Sequence, residues 1–237
     1  MLEHSNARTL ELKSSMMRWL VCVLGVMLTM VAWGQTVDYD ALMLKQGLVD
    51  LSTLGPGISF DIKYASTDNF AGTNMYGTTC TRAYLVKPAA KALEKALRQL
   101  RAIDPGYGFI IYDAARPLSV QRKMWKAVQG TRGVNYVASP HSGGPHNYGV
   151  ALDISLTYKG RPVDMGTPFD TFTADAHITA EQNLVKRGRI SLQAMNNRRL
   201  LRKVLTDNGF LTYSREWWHF EYCRASKARR RYALLNF

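Results

Sequence analysis

The stretch Pro145-His146-Asn147-Tyr148-Gly149-Val150-Ala151-Leu152-Asp153 decides how the rest of the chain is read. From Val150 the residues alternate. Val150, Leu152, Ile154 and Leu156 fall on one side and Ala151, Asp153 and Ser155 on the other, the period-two pattern of a strand. Asp153 thus stands on a strand face that otherwise carries small residues, which leaves room for a metal or a partner helix. Gly143-Gly144-Pro145 precedes His146, so the backbone can approach closely there and leave the ring exposed to a site. Far downstream, Glu216-Trp217-Trp218-His219 supplies a second imidazole and a longer carboxylate. His146, Asp153 and His219 form a three-ligand set suited to zinc with an open fourth position for water, and Glu216, not a ligand, is placed to take that water's proton.

Each of these residues has a plainer reading on its own. A lone histidine is more often structural than ligating, and Glu216 alone reads as a surface carboxylate paired with Arg215. His141 and His177 lie in loops without a carboxylate pattern and read as surface residues, and His4 lies in the leader. Trp217, Trp218 and Phe220 read as core and pocket wall. The combination of two imidazoles with Asp153 is what points to a metal. Glu216 and His219 are three residues apart, which would share a helix face but oppose each other on a regular strand. The aromatic-rich composition argues for a strand. Glu216 is therefore placed just before it, at a bend or bulge after Ser214-Arg215.

Working outward, residues 36–58 read as a short arm or helix packing on the domain, broken at Pro56-Gly57. Ser59 to Tyr64 alternates as a half-buried strand, Asn69 to Thr79 is a structured loop, and Ala83 to Val86 is a second short strand. Pro88 opens a helix with Ala89, Leu93, Ala96, Leu97 and Leu100 on one face. Gly108 to Asp113 is a buried strand, and Pro117 starts the next helix, so Arg116 sits at a strand-to-helix corner of the kind that faces a cleft. Residues 130–144 and 160–180 are loops. Leu192 to Leu205 is helical, stopped by Asn208-Gly209, and Phe210 to Tyr213 with Trp217 to Tyr222 form a hairpin. The tail from Lys227 through Arg229-Arg230-Arg231 is basic and peripheral. Helices and strands mix without strict alternation, which indicates an α+β fold: a single domain with a small antiparallel sheet flanked by helices.

A chain of 237 residues, 46% hydrophobic and 21% charged, is long and apolar enough to bury one core. The formal net charge of +13 admits nucleic acid, an anionic surface such as envelope phosphates, or a solvated basic face. The basic residues do not gather into a nucleic-acid reading motif, so no nucleic-acid partner is expected. Arg8, Lys13 and Arg18 precede an apolar run from Trp19 to Trp33, too short to be a comfortable membrane span. With Ala32-Trp33-Gly34 behind it, this reads as a signal peptide over 1–34 cleaved before Gln35, with no stable span after its removal. Initiation at Met16 or Met17, an uncleaved anchor, and a lipid anchor at Cys22 are the alternatives. The expected location is secreted, in the periplasm. Cys80 and Cys223 are then the remaining cysteines, either bridged or two buried thiols.

The pattern His146-x-x-Gly149-x-Ala151-x-Asp153 followed by Glu216-Trp217-Trp218-His219 resembles the zinc D-alanyl-D-alanine dipeptidases of the vancomycin-resistance type. These belong to a wider group of D,D-carboxypeptidases with a hedgehog-like α+β fold. Lys63-Tyr64-Ala65 with Asp68-Asn69-Phe70, Asp113 to Pro117, and Asp164 to Asp170 match as well, so the resemblance spans about residues 58–223. That gives a 35–57 arm, a 58–223 dipeptidase domain and a 224–237 basic tail. The resemblance implies one Zn2+ per chain on His146, Asp153 and His219, Glu216 as base, and Arg116 steadying the transition state. It also implies a carboxylate for the substrate amino group, assigned to Asp170. One departure stands out: the family's serine two residues before the first ligand is Gly144 here, with Ser142 two further back, which bears on how substrate is positioned.

The expected reaction is hydrolysis of the D-Ala-D-Ala dipeptide by a water at the zinc. The alternatives are a D,D-carboxypeptidase trimming peptidoglycan peptides and a non-catalytic cell-wall binding module. Neither the oligomeric state nor the physiological purpose is legible.

Overall fold

The computed structural model describes residues 37–77, 80 and 82–237; the leader pattern of residues 1–34, with His4 and Cys22, lies outside the described residues. The described chain begins with helix α1 (Tyr39–Lys45), whose first turn is capped by Asp38 accepting from the Ala41 amide at 2.9 Å. Strand β1 (Val49–Asp50) follows and pairs antiparallel with β3 (Tyr84–Leu85). Tyr39, Met43 and Leu51 are buried in the main core, so this part of the expected arm is built into the domain.

Strand β2 (Ile58–Phe60) is shorter than its alternation suggests. The chain leaves the sheet and makes a tight 3-10 turn over Lys63–Ala65 that buries Tyr64. The Asn69 side-chain amide donates to the carbonyls of Lys63, Ser66 and Thr73, giving this backbone local partners in place of a ladder.

Helix α2 (Lys87–Ile103) carries Pro88 in its first turn, where the missing amide costs no hydrogen bond. Its Ala89, Leu93, Ala96, Leu97 and Leu100 are all buried, each leucine contributing about 1.5–3 kcal/mol of apolar burial. This face packs on β4 (Tyr107–Asp113) and on α5 (Leu192–Asp207). Helix α3 (Leu118–Val128) starts after Pro117, as expected. Helix α4 (Glu181–Lys186), unmarked by any strong periodicity, buries Leu184 in a satellite cluster with Ile190, Ala194 and Met195.

The main sheet has β4 and β5 (Ala151–Tyr158) at its centre, with β6 (Arg161–Pro162), β7 (Leu211–Tyr213) and β8 (Glu216–Glu221) completing it. Its order is β2-β4-β5-β8-β7, with β6 on the end of β5. Every pairing is antiparallel except β2 with β4, which is parallel. That exception follows from the long crossover through β3 and α2, since a parallel neighbour cannot be reached by a tight turn. On β5 the apolar Leu152, Ile154 and Leu156 are buried as expected, and so are Asp153, Ser155 and Thr157 on the opposite face. Both faces of this strand are therefore covered.

The basic tail, expected to be peripheral, is docked. Helix α6 (Ala225–Arg231) buries Ala228, and beyond it Leu235 is 1% exposed. The Leu235 amide donates to the Asn147 carbonyl at 2.9 Å, and its own carbonyl accepts from Leu118 at 2.8 Å. Apolar residues spaced between the arginines face inward while the charges face water. Cys80 and Cys223 are both free. Among the described residues no helix is long and apolar enough to cross a membrane.

Candidate active site

Three adjacent strands set one row of the site. In the sheet register Asp153 of β5 lies opposite Asp113 on β4 and opposite His219 on β8. The ladder slips between Ile111 and Asp113, which brings Asp113 into that row. His146 arrives from a 3-10 turn over Pro145–Tyr148. Gly149 ends that turn with φ +64°, and a Cβ there would lie 3.0 Å from Leu48, so glycine is needed to swing the chain straight into β5. Asn147, fully buried, fastens the turn: its side chain donates to the Arg116 carbonyl at 2.9 Å and accepts from Gly144 at 2.8 Å.

His146 Nε2, Asp153 Oδ1 and His219 Nδ1 form a triangle with edges of 3.2, 3.0 and 3.5 Å. Bonds of about 2.0–2.1 Å to a tetrahedral zinc set ligand atoms about 3.3 Å apart, so these three atoms fit one face of such a site. All three residues are buried. The ring orientations fit too. His146 Nδ1 lies 2.7 Å from the Ala114 carbonyl, which can only accept, so the proton is on Nδ1 and Nε2 presents its lone pair. His219 Nε2 lies 3.5 Å from Glu221 Oε1, whose other oxygen accepts from Arg224 at 3.0 Å. Burial disfavours a charged His219, but hydrogen bonds to Asp153 and Glu221 outweigh it and push the ring up to about 10. Burial also raises the Asp153 carboxyl, yet the two imidazoles hold it below its ordinary value. A cation in the triangle would take the place of that proton.

Glu216 is the first residue of β8, where the pairing with β7 is irregular: Thr212 faces Phe220 while Tyr213 faces Glu216. This break in the pleat lets residues three apart point the same way, and Glu216 Oε2 lies 3.9 Å from His219 Nδ1. Burial pushes its carboxyl up to about 7. Trp218 turns inward against Phe169, while Trp217 faces away and donates to Thr167 Oγ1 at 2.9 Å.

Arg116 is buried at the corner after β4. Its Nε and Nη2 donate to Asp113 Oδ2 at 2.8 and 2.6 Å, and its Nη1 to Gln121 Oε1 at 2.8 Å. These use three of five N–H groups and leave two for a ligand. The guanidinium also lies 5.0 Å over the Tyr64 ring.

Asp170 lines the same cavity, on a backbone with φ +59°. Its Oδ1 accepts from the Tyr64 hydroxyl at 2.9 Å, and its Oδ2 is buried without a partner. Burial raises this carboxyl well above its ordinary value, against the pull of the Tyr64 hydroxyl. The cavity is about 230 Å³, and Tyr136, Phe172 and Tyr213 add its aromatic wall.

All six residues picked out in the sequence therefore line one cavity. Tyr64, Asp113, Gln121 and Glu221 were not singled out. Glu221 had a signal, since it is two residues past His219 and shares its face of the strand. Asp113 lay in the matching Asp113-to-Pro117 stretch, but neither it nor Gln121 showed its tie to Arg116, which depends on how the corner folds. His177 is half-buried rather than a free surface residue, with its Nε2 3.1 Å from the Tyr136 hydroxyl. Gly144 also has a packing reason: a Cβ there would lie 2.9 Å from Ala138 Cβ.

The chain is similar to known proteins over most of its length. A family model described as D-ala-D-ala dipeptidase, of the M15 peptidases, matches residues 44–235. The chain is 33% identical to the D-alanyl-D-alanine dipeptidase of Escherichia coli (strain K12) over 180 residues, 76% of this chain and 86% of that one. It is 30% and 32% identical to the D-alanyl-D-alanine dipeptidases of Enterococcus faecalis (strain ATCC 700802 / V583) and Enterococcus faecium. Each match covers 75% of this chain and 92% of the relative. With the family model matched from residue 44 to 235 and a relative 33% identical over 76% of this chain, the protein is a peptidase that belongs to the M15 D-ala-D-ala dipeptidase family.

Proposed function

We propose that this chain is a zinc dipeptidase that hydrolyses D-Ala-D-Ala. The observation that carries the reading is the triangle of His146 Nε2, Asp153 Oδ1 and His219 Nδ1 with Glu216 beside it. Two imidazole nitrogens and one carboxylate oxygen with tetrahedral spacing suit zinc, which supplies Lewis-acid polarisation and lowers the pKa of water to about 7.

The chain's own groups account for the rest. Glu216, with a carboxyl near 7, is matched to taking a proton from water at neutral pH and giving it to the leaving nitrogen. Water oxygen bonds to the carbonyl carbon, the C–N bond breaks, and two alanines leave. The free N–H groups of Arg116 donate to the carbonyl oxygen as it gains charge, a contribution of about 3–4 kcal/mol when one such donor is lost. Asp170 Oδ2, buried and lacking a partner, receives the substrate ammonium. The cavity volume favours the free dipeptide over a longer chain: about 230 Å³ is below the roughly 300–1,000 Å³ of pockets for larger ligands. The basic and apolar pattern of residues 1–34 supports export and action in the periplasm.

Incubation with D-Ala-D-Ala and with a pentapeptide ending in D-Ala-D-Ala, with and without chelator, tests the reading. Chelator-sensitive release of D-alanine from the dipeptide alone is expected. Release from the pentapeptide would select a carboxypeptidase, and release from neither would point to a binding module.

A further inference from the structure

A second cleft, lined by four basic side chains, shares no residue with the active-site cavity. This cleft, about 680 Å³, lies where α2, α6 and the end of β8 meet. Lys91 and Lys95 of α2 line it from one side, Lys227 and Arg231 of α6 from the other, with Tyr222 and Tyr232 between. All four cations are exposed.

Their spacing is informative. Lys91 and Lys95 are four apart on one helix, and Lys227 and Arg231 are four apart on the other, so each pair puts like charges side by side. Such pairs weaken a helix; Arg98 of α2 and Lys203 of α5, by contrast, are matched with Glu94 at 2.6 Å and Asp207 at 2.7 Å. Among the described residues none of the four cleft cations has an ion pair. The one carboxylate in the lining, Asp207, is already held by Lys203 and by Gln99 Nε2 at 2.8 Å. Two repelling pairs turned toward one opening leave an uncompensated charge that a multivalent anion would neutralise.

We propose that this cleft binds a ligand bearing two or more phosphates. A single carboxylate would neutralise one cation of four, whereas phosphates in series can bridge the two helices, and lysines serve as point-charge phosphate partners. The phosphates could belong to a soluble polyanion or to lipid headgroups, and the test separates these sources.

Sodium tripolyphosphate is titrated calorimetrically at low salt, and sedimentation is measured with vesicles of phosphatidylcholine with and without phosphatidylglycerol. The cleft variant is Lys95→Glu/Lys227→Glu. The control, Lys45→Glu/Arg161→Glu, makes the same change in net charge at exposed positions outside the cleft. Both should melt like the natural chain; should the reversal fail to fold, Lys95→Ala/Lys227→Ala replaces it. Saturable binding that the cleft variant weakens by about tenfold or more, and the control by less than about threefold, is expected. Cleft-dependent binding of tripolyphosphate assigns a soluble polyanion, and cleft-dependent binding of phosphatidylglycerol vesicles alone assigns headgroups. Absence of binding to either, or equal losses in the two variants, overturns the proposal.

Discussion

Replacing Asp170 with asparagine should make the protein more stable at alkaline pH and less active, two changes that a purely structural residue would not combine. Asparagine keeps the shape, tolerates the φ of +59° at this position, and can still accept from the Tyr64 hydroxyl. What changes is the charge. Burial raises the Asp170 carboxyl well above its ordinary value, so the folded chain holds a proton that the unfolded chain has released. The associated stability is fully present below the unfolded value of about 3.9 and is lost as pH rises through the folded value. Over that window the cost is up to about 1.4 kcal/mol per pH unit, and the asparagine variant escapes it. The melting temperature of the variant minus that of the natural chain should therefore climb with pH above about 4 and level off once the folded value is passed. Hydrolysis moves the other way. The substrate ammonium would displace the Asp170 proton and pair with the carboxylate, whereas asparagine offers no charge, a loss of about 2–5 kcal/mol, or roughly 30- to 5,000-fold in kcat/KM. Melting by circular dichroism and D-alanine release read the two effects separately. A pH-independent melting difference would refute the burial argument, and unchanged kcat/KM would remove Asp170 from substrate binding.

Glu216→Gln should keep the metal content of the natural chain and lower kcat by about 10²–10⁴, read by metal analysis beside the hydrolysis assay. Arg116→Ala strands Asp113, which is 1% exposed and bonded to the guanidinium at 2.6 and 2.8 Å. A loss of about 3–5 kcal/mol, seen as a drop in melting temperature of about 10 °C, should accompany its loss of activity. Gly144→Ser places a Cβ 2.9 Å from Ala138 Cβ and should cost about 1–3 kcal/mol in denaturant melts, recovered in the double variant with Ala138→Gly.

Much of the site could be read along the chain. The alternation from Val150 placed Asp153 on the strand face where the structure has His219 as its neighbour, and the conflict between the spacing of Glu216 and His219 required the irregularity that the β7–β8 pairing contains. Strand β2 gives way to a 3-10 turn over Lys63–Ala65 that Asn69 ties down through the Lys63 and Ser66 carbonyls, a competition no periodicity records. The tail looked peripheral because charge dominates its composition, while two small apolar contacts, Ala228 and Leu235, decide where it lies.

Taken alone, the sequence determined which elements form and which chemical groups they carry, because periodicity, proline placement and capping act over a few residues. Tertiary structure alone decided the register that sets Asp113, Asp153 and His219 in one row. It also gave Arg116 and His219 their partners Asp113, Gln121 and Glu221, and brought two like-charged helix faces to one cleft. Those juxtapositions join residues dozens of positions apart, and their energies exist only once packing has brought the elements together.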